Sequence, residues 1–273
     1  MQEIKNLAIS IFELEQPVAC RCNAIHEVCI RCKPCRMNQP DQLVEEPEIA
    51  ELNQFIDHTL LRADATKNEI KKLCKEADEH HFKAVCVNPF FVKLAKFHCN
   101  YSNICSVIGF PLGANTLDTK IFETRKAIEQ GANEIDMVIN IGLLKAKDYA
   151  LVIDEIFQLK QICHKFNAIL KVIIETALLD RSEKIIACLL AKKAGADFVK
   201  TSTGFSTGGA TVEDVMLMRQ LVGVKMGVKA SGGVRTRRDA INMLKAGANR
   251  IGTSNGITIM TTKIAVDDKK KEY

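Results

Sequence analysis

The chain has 273 residues, 47% of them hydrophobic, which is enough for one large domain with a sizeable core. A formal charge of +5, partly carried by the terminal run DDKKKEY, and a total lack of tryptophan leave no basic stripe interleaved with aromatics, so nucleic acid is not an expected partner. No run reaches the roughly 20 apolar residues of a membrane span, and the apolar run 7–12 is flanked by Glu3, Glu13 and Glu15 with no cleavage pattern, so membrane and export are not expected either. The eleven cysteines are then expected to be reduced thiols in a cytoplasmic protein.

The first stretch, 1–46, is too short for its own apolar core. Its CRCNAIHEVCIRCKPC segment sets Cys20, Cys22, Cys29, Cys32 and Cys35 around His26. That ligand density suits zinc and a binding module appended to the main domain; a loosely ordered arm of reduced thiols is the plainer alternative. The C-x2-C-x2-C spacing lacks the next cysteine of a ferredoxin run.

From residue 47, short apolar runs alternate with longer Lys/Glu-rich helical patterns. Eight strands are expected: QFIDH (54–58), KAVCVN (83–88), CSVIGF (105–110), EIDMVIN (134–140), ILKVIIET (169–176), DFVKTS (197–202), GVKAS (227–231) and NRIGTS (249–254). TKNEIKKLCKEADEH opens with a capping threonine, Thr66, and a glutamate three residues on; TKIFETRKAIEQGA closes in glycine. GA(D/N) recurs just before strands, at 131–133, 195–197 and 247–249, as a repeated helix-to-strand turn would. Eight strand and helix units within 47–260 predict an α/β fold, a (β/α)8 TIM barrel. The competing doubly wound sheet is weakened because no Gly-rich dinucleotide fingerprint follows the first strand. Residues 261–273 read as a charged tail ending in Tyr273, a phenol that either reaches the site as a proton carrier or stays idle.

Active sites of such barrels sit at the C-terminal ends of the strands. Period-two alternation puts Asp57, Cys86, Asp136, Lys200 and Lys229 on inward faces. Lys200 and Lys229 close adjacent strands. Ammonium groups about 6 Å apart at an effective dielectric near 20 repel by roughly 3 kcal/mol, or about two pKa units, so one of them is a candidate neutral amine for Schiff-base chemistry. Two solvated rim lysines are the bland alternative. Asp136, inside an apolar strand, calls for a cation, either as a plain ion pair or as a proton relay. TSTG after strand six (with Thr203 and Gly204), SGGVRT after strand seven (with Gly232 and Gly233) and GTSNG after strand eight (with Ser254) supply glycines and hydroxyls suited to phosphate.

The segments FIDHTLL, AVCVNPFFV, VIGFPLGANTLDTKIFET, GANEIDMVINIG, LKVIIETALL, GADFVKTSTGFSTGGATVEDV, GVKASGGVRT and RIGTSNG, in order over 52–257, resemble the deoxyribose-phosphate aldolase family; FVKTSTGF and VKASGGVRT are among its most specific signatures. The resemblance implies a class I aldolase that reversibly cleaves 2-deoxy-D-ribose 5-phosphate into acetaldehyde and D-glyceraldehyde 3-phosphate with no cofactor or metal. It makes Lys200 the Schiff-base lysine and Lys229 with Asp136 the proton-transferring pair. Asp57, Thr59 and Cys86 would line the pocket, their alternatives being a capping aspartate and threonine and a structural thiol. Thr203, Gly204, Gly232, Gly233 and Ser254 would bind substrate at its phosphate end. Phe205 and Asn255 stand where some members have lysine and a second serine. By analogy with such barrels, a homodimer is expected. The alternatives are another lysine-dependent phosphosugar aldolase, or an inactive sugar-phosphate binder with a zinc-binding arm.

Overall fold

A computed structural model describes residues 52–262. The Cys20–Cys35 cluster and Tyr273 lie outside the described residues. Eight parallel strands close a barrel in chain order. They are β1 (Ile56–Leu60), β2 (Ala84–Val87), β3 (Asn103–Ile108), β4 (Glu134–Val138), β5 (Ile169–Ile173), β6 (Phe198–Lys200), β7 (Gly227–Ser231) and β8 (Arg250–Thr253). The helices are α1 (Lys67–Glu79), α2 (Val92–His98), α3 (Leu117–Glu129), α4 (Ile141–Lys145), α5 (Tyr149–Lys165), α6 (Arg181–Lys193), α7 (Val212–Val222), α8 (Arg237–Lys245) and α9 (Gly256–Thr261). The expected (β/α)8 architecture is therefore the observed one.

Two strands are displaced from their expected positions. Residues Leu52–Phe55 form a 3₁₀ turn in which Gln54 Nε2 donates to the His81 carbonyl at 2.9 Å, so β1 starts and ends two residues later than predicted. β3 starts two residues earlier because the Asn103 amide already pairs with the Lys83 carbonyl at 3.1 Å, and it stops before Gly109, whose φ of +62° leaves the extended region. α1 carries the anticipated capping box: Thr66 Oγ1 accepts from the Glu69 amide and Glu69 accepts from the Thr66 amide. α3 starts earlier than its pattern suggested, capped by Thr116.

The recurrent GA(D/N) turn has a physical basis. Gly131, Gly195 and Gly247 all adopt positive φ, ending their helices where a side chain would be strained. The polar residue two positions on then reaches across to the preceding strand. Asn133 Oδ1 accepts from Ile104 N at 2.8 Å, Asp197 Oδ2 from Leu170 N at 2.8 Å, and Asn249 Oδ1 from Val228 N at 3.0 Å. Each carboxamide or carboxylate satisfies an amide at the N-terminal rim of the barrel that has no neighbouring strand carbonyl.

Alternate strand residues divide the apolar side chains into two clusters. The larger lies between strands and helices, where Ile135, Leu170, Val199, Val228 and Ile251 meet helix residues such as Ile70, Leu159, Met218 and Leu244. The smaller lies inside the barrel, where Ala84, Cys86, Cys105 and Val107 pack with Leu61 and Phe110 along β2 and β3. Much of the rest of the interior is charged.

Candidate active site

The inward positions of β1, β4, β5, β6, β7 and β8 carry Asp57, Glu134, Asp136, Lys171, Lys200, Lys229 and Arg250, each buried. Lys200 and Lys229 are register partners on adjacent strands. Lys200 Nζ donates to Asp136 Oδ2 at 2.9 Å, and Lys229 Nζ donates to the same oxygen at 2.7 Å and to Asp57 Oδ2 at 2.5 Å. The other carboxylate oxygen of Asp136 is held separately. Lys171 Nζ donates to Oδ1 at 2.8 Å and the Cys105 thiol donates to it at 3.1 Å. Below these, Lys171 pairs with Glu134 at 2.6 Å, and Arg250 bridges Glu134 and Asp57, with Nε donating to Asp57 Oδ1 at 2.6 Å and Nη2 to Glu134 Oε2 at 2.7 Å.

Three carboxylates face four cations, so the network carries one surplus positive charge. Burial alone would raise the pKa of Asp136, but the ammonium groups of Lys171, Lys200 and Lys229 outweigh it and hold the carboxyl well below the usual range. Burial likewise opposes ionisation of Asp57, and Arg250, Lys229 and Lys171 overcome it. For Lys229 the desolvation penalty is outweighed by Asp136 and Asp57, which lift it above the ordinary lysine value; Lys171 is raised in the same way by Asp136 and Glu134. Lys229 and Lys171 are thus held as cations at rest. Lys200 faces one carboxylate, where Lys229 faces two.

The interior glycines make room for this chemistry. A Cβ on Gly252 would collide with Ser231 Oγ and approach Lys229 Cε to 3.0 Å; one on Gly227 would run into the Phe198 ring. At the C-terminal rim, the loops after β6 and β7 meet backbone to backbone. A Cβ on Gly232 would lie 3.0 Å from Gly209 Cα and 3.5 Å from Gly204 Cα, and Gly204, Gly232 and Gly233 all have φ near +80 to +86°. Gly233 has open space around its missing side chain. Thr203 is fixed from the β5 end: its amide and hydroxyl donate to Glu175 Oε2 at 3.1 and 2.5 Å. Ser254 is exposed beside Asn255 and shares a cleft with Thr59, His58 and Lys72 between β1, α1 and α9.

The residues singled out in the sequence therefore fall into three groups. Asp57, Cys86, Asp136, Lys200 and Lys229 meet inside the barrel. Thr203, Gly204, Gly232 and Gly233 line the rim above β6 and β7. Thr59 and Ser254 sit together at the rim above β1 and β8. Asp57 is not a helix cap: its carboxylate is committed to Lys229 and Arg250. Thr59 Oγ1 turns back to the Asp57 carbonyl at 2.8 Å, and the Cys86 thiol packs on Cys105. Sequence reasoning missed Cys105, Glu134, Lys171 and Arg250. Glu134 and Lys171 had a legible signal, since Glu134 is two residues from Asp136 and Lys171 interrupts an apolar strand; Arg250 opens its strand, at the end opposite the one where active sites of such barrels lie.

Among the described residues, the one His/Cys/Asp/Glu group with ligand atoms in mutual reach, within 4.8 Å, is Cys86, Cys105 and Asp136. It does not suit a divalent ion, because both Asp136 oxygens already serve ammonium groups and a further cation would add to a surplus of positive charge.

A model of the DeoC/LacD family aldolases matches residues 52–261. The chain belongs to that family. Among DeoC/LacD aldolases, the deoxyribose-phosphate aldolase of Thermococcus kodakarensis is 58% identical over 214 residues, covering 77% of this chain and 96% of that protein. The enzyme of the same name from Brevibacillus brevis is 56% identical over 212 residues, covering 77% and 95%. The tetrameric structure of deoxyribose phosphate aldolase from Aeropyrum pernix superposes with a TM-score of 0.72 at 34% identity, covering 78% of this chain and 90% of that one. No helix among the described residues is long and apolar enough to cross a membrane.

Proposed function

We propose that this chain is a class I aldolase that reversibly cleaves 2-deoxy-D-ribose 5-phosphate into acetaldehyde and D-glyceraldehyde 3-phosphate. The observation that carries the reading is the shared carboxylate oxygen: Lys200 and Lys229 both donate to Asp136 Oδ2 inside a closed barrel whose relatives bear that activity's name. Lys200 is the nucleophile. An amine must be neutral to attack, and losing one proton leaves the network with three cations facing three anions, so the chemistry needs no further compensation in the buried interior.

The neutral Nζ adds to the C1 aldehyde of the open-chain sugar and water departs, leaving an iminium that acts as an electron sink. As the C3 hydroxyl gives up its proton, the C2–C3 bond breaks. Its electron pair moves into the iminium, and the aldehyde of D-glyceraldehyde 3-phosphate is released from an enamine. Protonation of the enamine carbon and hydrolysis return acetaldehyde and free Lys200. Asp136 and Lys229, with a water, carry the protons; Lys229, anchored by Asp57, is cationic at rest and is reprotonated after each transfer. Thr203, Gly204, Gly232, Gly233 and Ser254 hold the phosphate end, and Thr59 and Cys86 border the chamber. The barrel of 47–260 with flanking segments 1–46 and 261–273, a homodimer and a cytoplasmic location belong to the same proposal; light scattering during gel filtration tests the dimer.

Borohydride reduction with acetaldehyde, followed by peptide mass mapping, tests the mechanism. The expected result is an ethyl adduct on Lys200, absent in Lys200→Leu and slowed about a hundredfold or more in Lys229→Leu. An adduct on Lys171 or Lys225 instead overturns the assignment.

A further inference from the structure

Ser231 ends β7, two residues beyond Lys229 on the same inward face. It is 5% exposed, and its hydroxyl has no hydrogen-bond partner in the protein. Buried hydroxyls are ordinarily satisfied, so one left open needs an occupant. Its main chain, by contrast, is fixed on both sides. Ser231 N donates to Thr201 Oγ1 at 3.0 Å, Thr201 Oγ1 donates to Ser231 O at 3.0 Å, and Ala210 N donates to the same carbonyl at 3.1 Å. The side chain points where Gly252, its register partner on β8, lacks one; a Cβ there would strike Ser231 Oγ and approach Lys229 Cε to 3.0 Å. Gly252 thus makes room for the Ser231 side chain, whose hydroxyl lies on the barrel's inner side near Lys229 Cε.

We infer that Ser231 is a specificity-determining residue that hydrogen-bonds the C4 hydroxyl of the sugar, the oxygen next to the phosphate-bearing carbon. The assignment rests on the aldolase reading above. Along β7 the order is Lys229, then Ser231, then Gly232 and Gly233 of the phosphate rim. A substrate attached to Lys200, the register partner of Lys229 on β6, with its phosphate at the glycine rim would run in the same order, from the carbon on the amine, through its secondary hydroxyls, to the phosphate. A rigidly mounted hydroxyl one residue short of the phosphate glycines meets the hydroxyl-bearing carbon one bond short of the phosphate-bearing one. Ser231 Oγ donates or accepts there, and it reads configuration as well as presence, because the mirror-image carbon directs its oxygen away from β7.

Ser231→Ala tests this. The hydroxyl has no protein partner to lose, so Tm stays within about 2 °C of the parent. Cleavage of 2-deoxy-D-ribose 5-phosphate falls about ten- to a hundredfold in kcat/KM. In the condensation direction, the parent's preference for D- over L-glyceraldehyde 3-phosphate falls toward unity. Borohydride trapping of acetaldehyde on Lys200 proceeds at the parental rate, since acetaldehyde lacks this hydroxyl. An unchanged kcat/KM, a D/L preference retained in the variant or absent from the parent, trapping slowed in step with cleavage, or a Tm lowered by several degrees would each overturn the inference. Failure of the parent protein to trap acetaldehyde on Lys200 would instead remove the aldolase reading beneath it.

Discussion

The inside of the barrel and the shell around it are built from the same eight strands by opposite means. Outward residues such as Ile135, Leu170, Val199 and Val228 join helix side chains in one continuous apolar layer. Inward residues include a small apolar patch on β2 and β3 and an ionic network of seven side chains. Burying apolar area stabilises without geometric demands, at roughly 25 cal/mol per Å². Burying charges is costly and is recovered only when every partner is present, so an ionic interior is weak evidence for stability. The contrast separates the tasks: the shell holds the protein together, and the interior keeps ammonium and carboxylate groups at fixed positions for proton chemistry.

The largest effect expected within this contrast comes from Lys200→Leu. Turnover measured by aldehyde release falls by ~1,000-fold or more, while far-ultraviolet circular dichroism is unchanged because Asp136 retains Lys171 and Lys229. Arg250→Met breaks the contrast from the other side. It removes the bridge between two buried carboxylates, leaving Asp57 Oδ1 without its donor and Glu134 with Lys171 as its one cation, and lowers stability by about 3 kcal/mol, seen as a Tm fall of about 10 °C. Leu159→Ala, in α5 of the shell, lowers stability by about 2–4 kcal/mol in urea melts but leaves kcat per folded molecule at the parental value. A loss of kcat there would blur the division of tasks.

The smallest effect is the pH dependence of stability. Asp57 and Asp136 titrate below their unfolded value of about 3.9, so their contribution is complete above that pH and is lost as pH falls through the lower folded values. Lys171 and Lys229 titrate above their unfolded value of about 10.4, so theirs is complete below it and is lost as pH rises through the higher folded values. This network therefore keeps the urea midpoint flat between about pH 5 and 9. Asp136→Asn makes the acid limb shallower by about one proton. A parental midpoint that moved with pH inside that window through these groups would contradict the charge states assigned to them.

Much of this was legible in the residues because the barrel obeys local rules. Strand and helix periods, the Thr66 capping box and the GA(D/N) turns each report a short-range constraint, and all agree with the closed topology. The inward set Asp57, Asp136, Lys200 and Lys229 followed from alternation and strand ends. What stayed hidden depends on closure. Asp57 and Arg250 are 193 residues apart, and Asp57 and Lys229 172, so no window along the chain shows that β1 abuts β8. For the same reason the charge balance was misjudged: two lysines and one acid suggested a repelled pair, whereas Asp57, Glu134, Lys171 and Arg250 turn that pair into part of a seven-membered network. The 3₁₀ turn at Leu52–Phe55, too, comes from a contact with a distant segment, through His81.

The three polar plugs at Asn133, Asp197 and Asn249 give the two rims unequal tolerance for change. Lengthening a connection at the plugged rim withdraws a side-chain acceptor from a strand amide and loosens one strand–helix joint without touching the chamber. Splitting the chain there and rejoining its old ends elsewhere would thus produce a slacker molecule that still turns over, while the same cut among the glycines of the opposite rim would leave a sturdy molecule unable to grip what it processes.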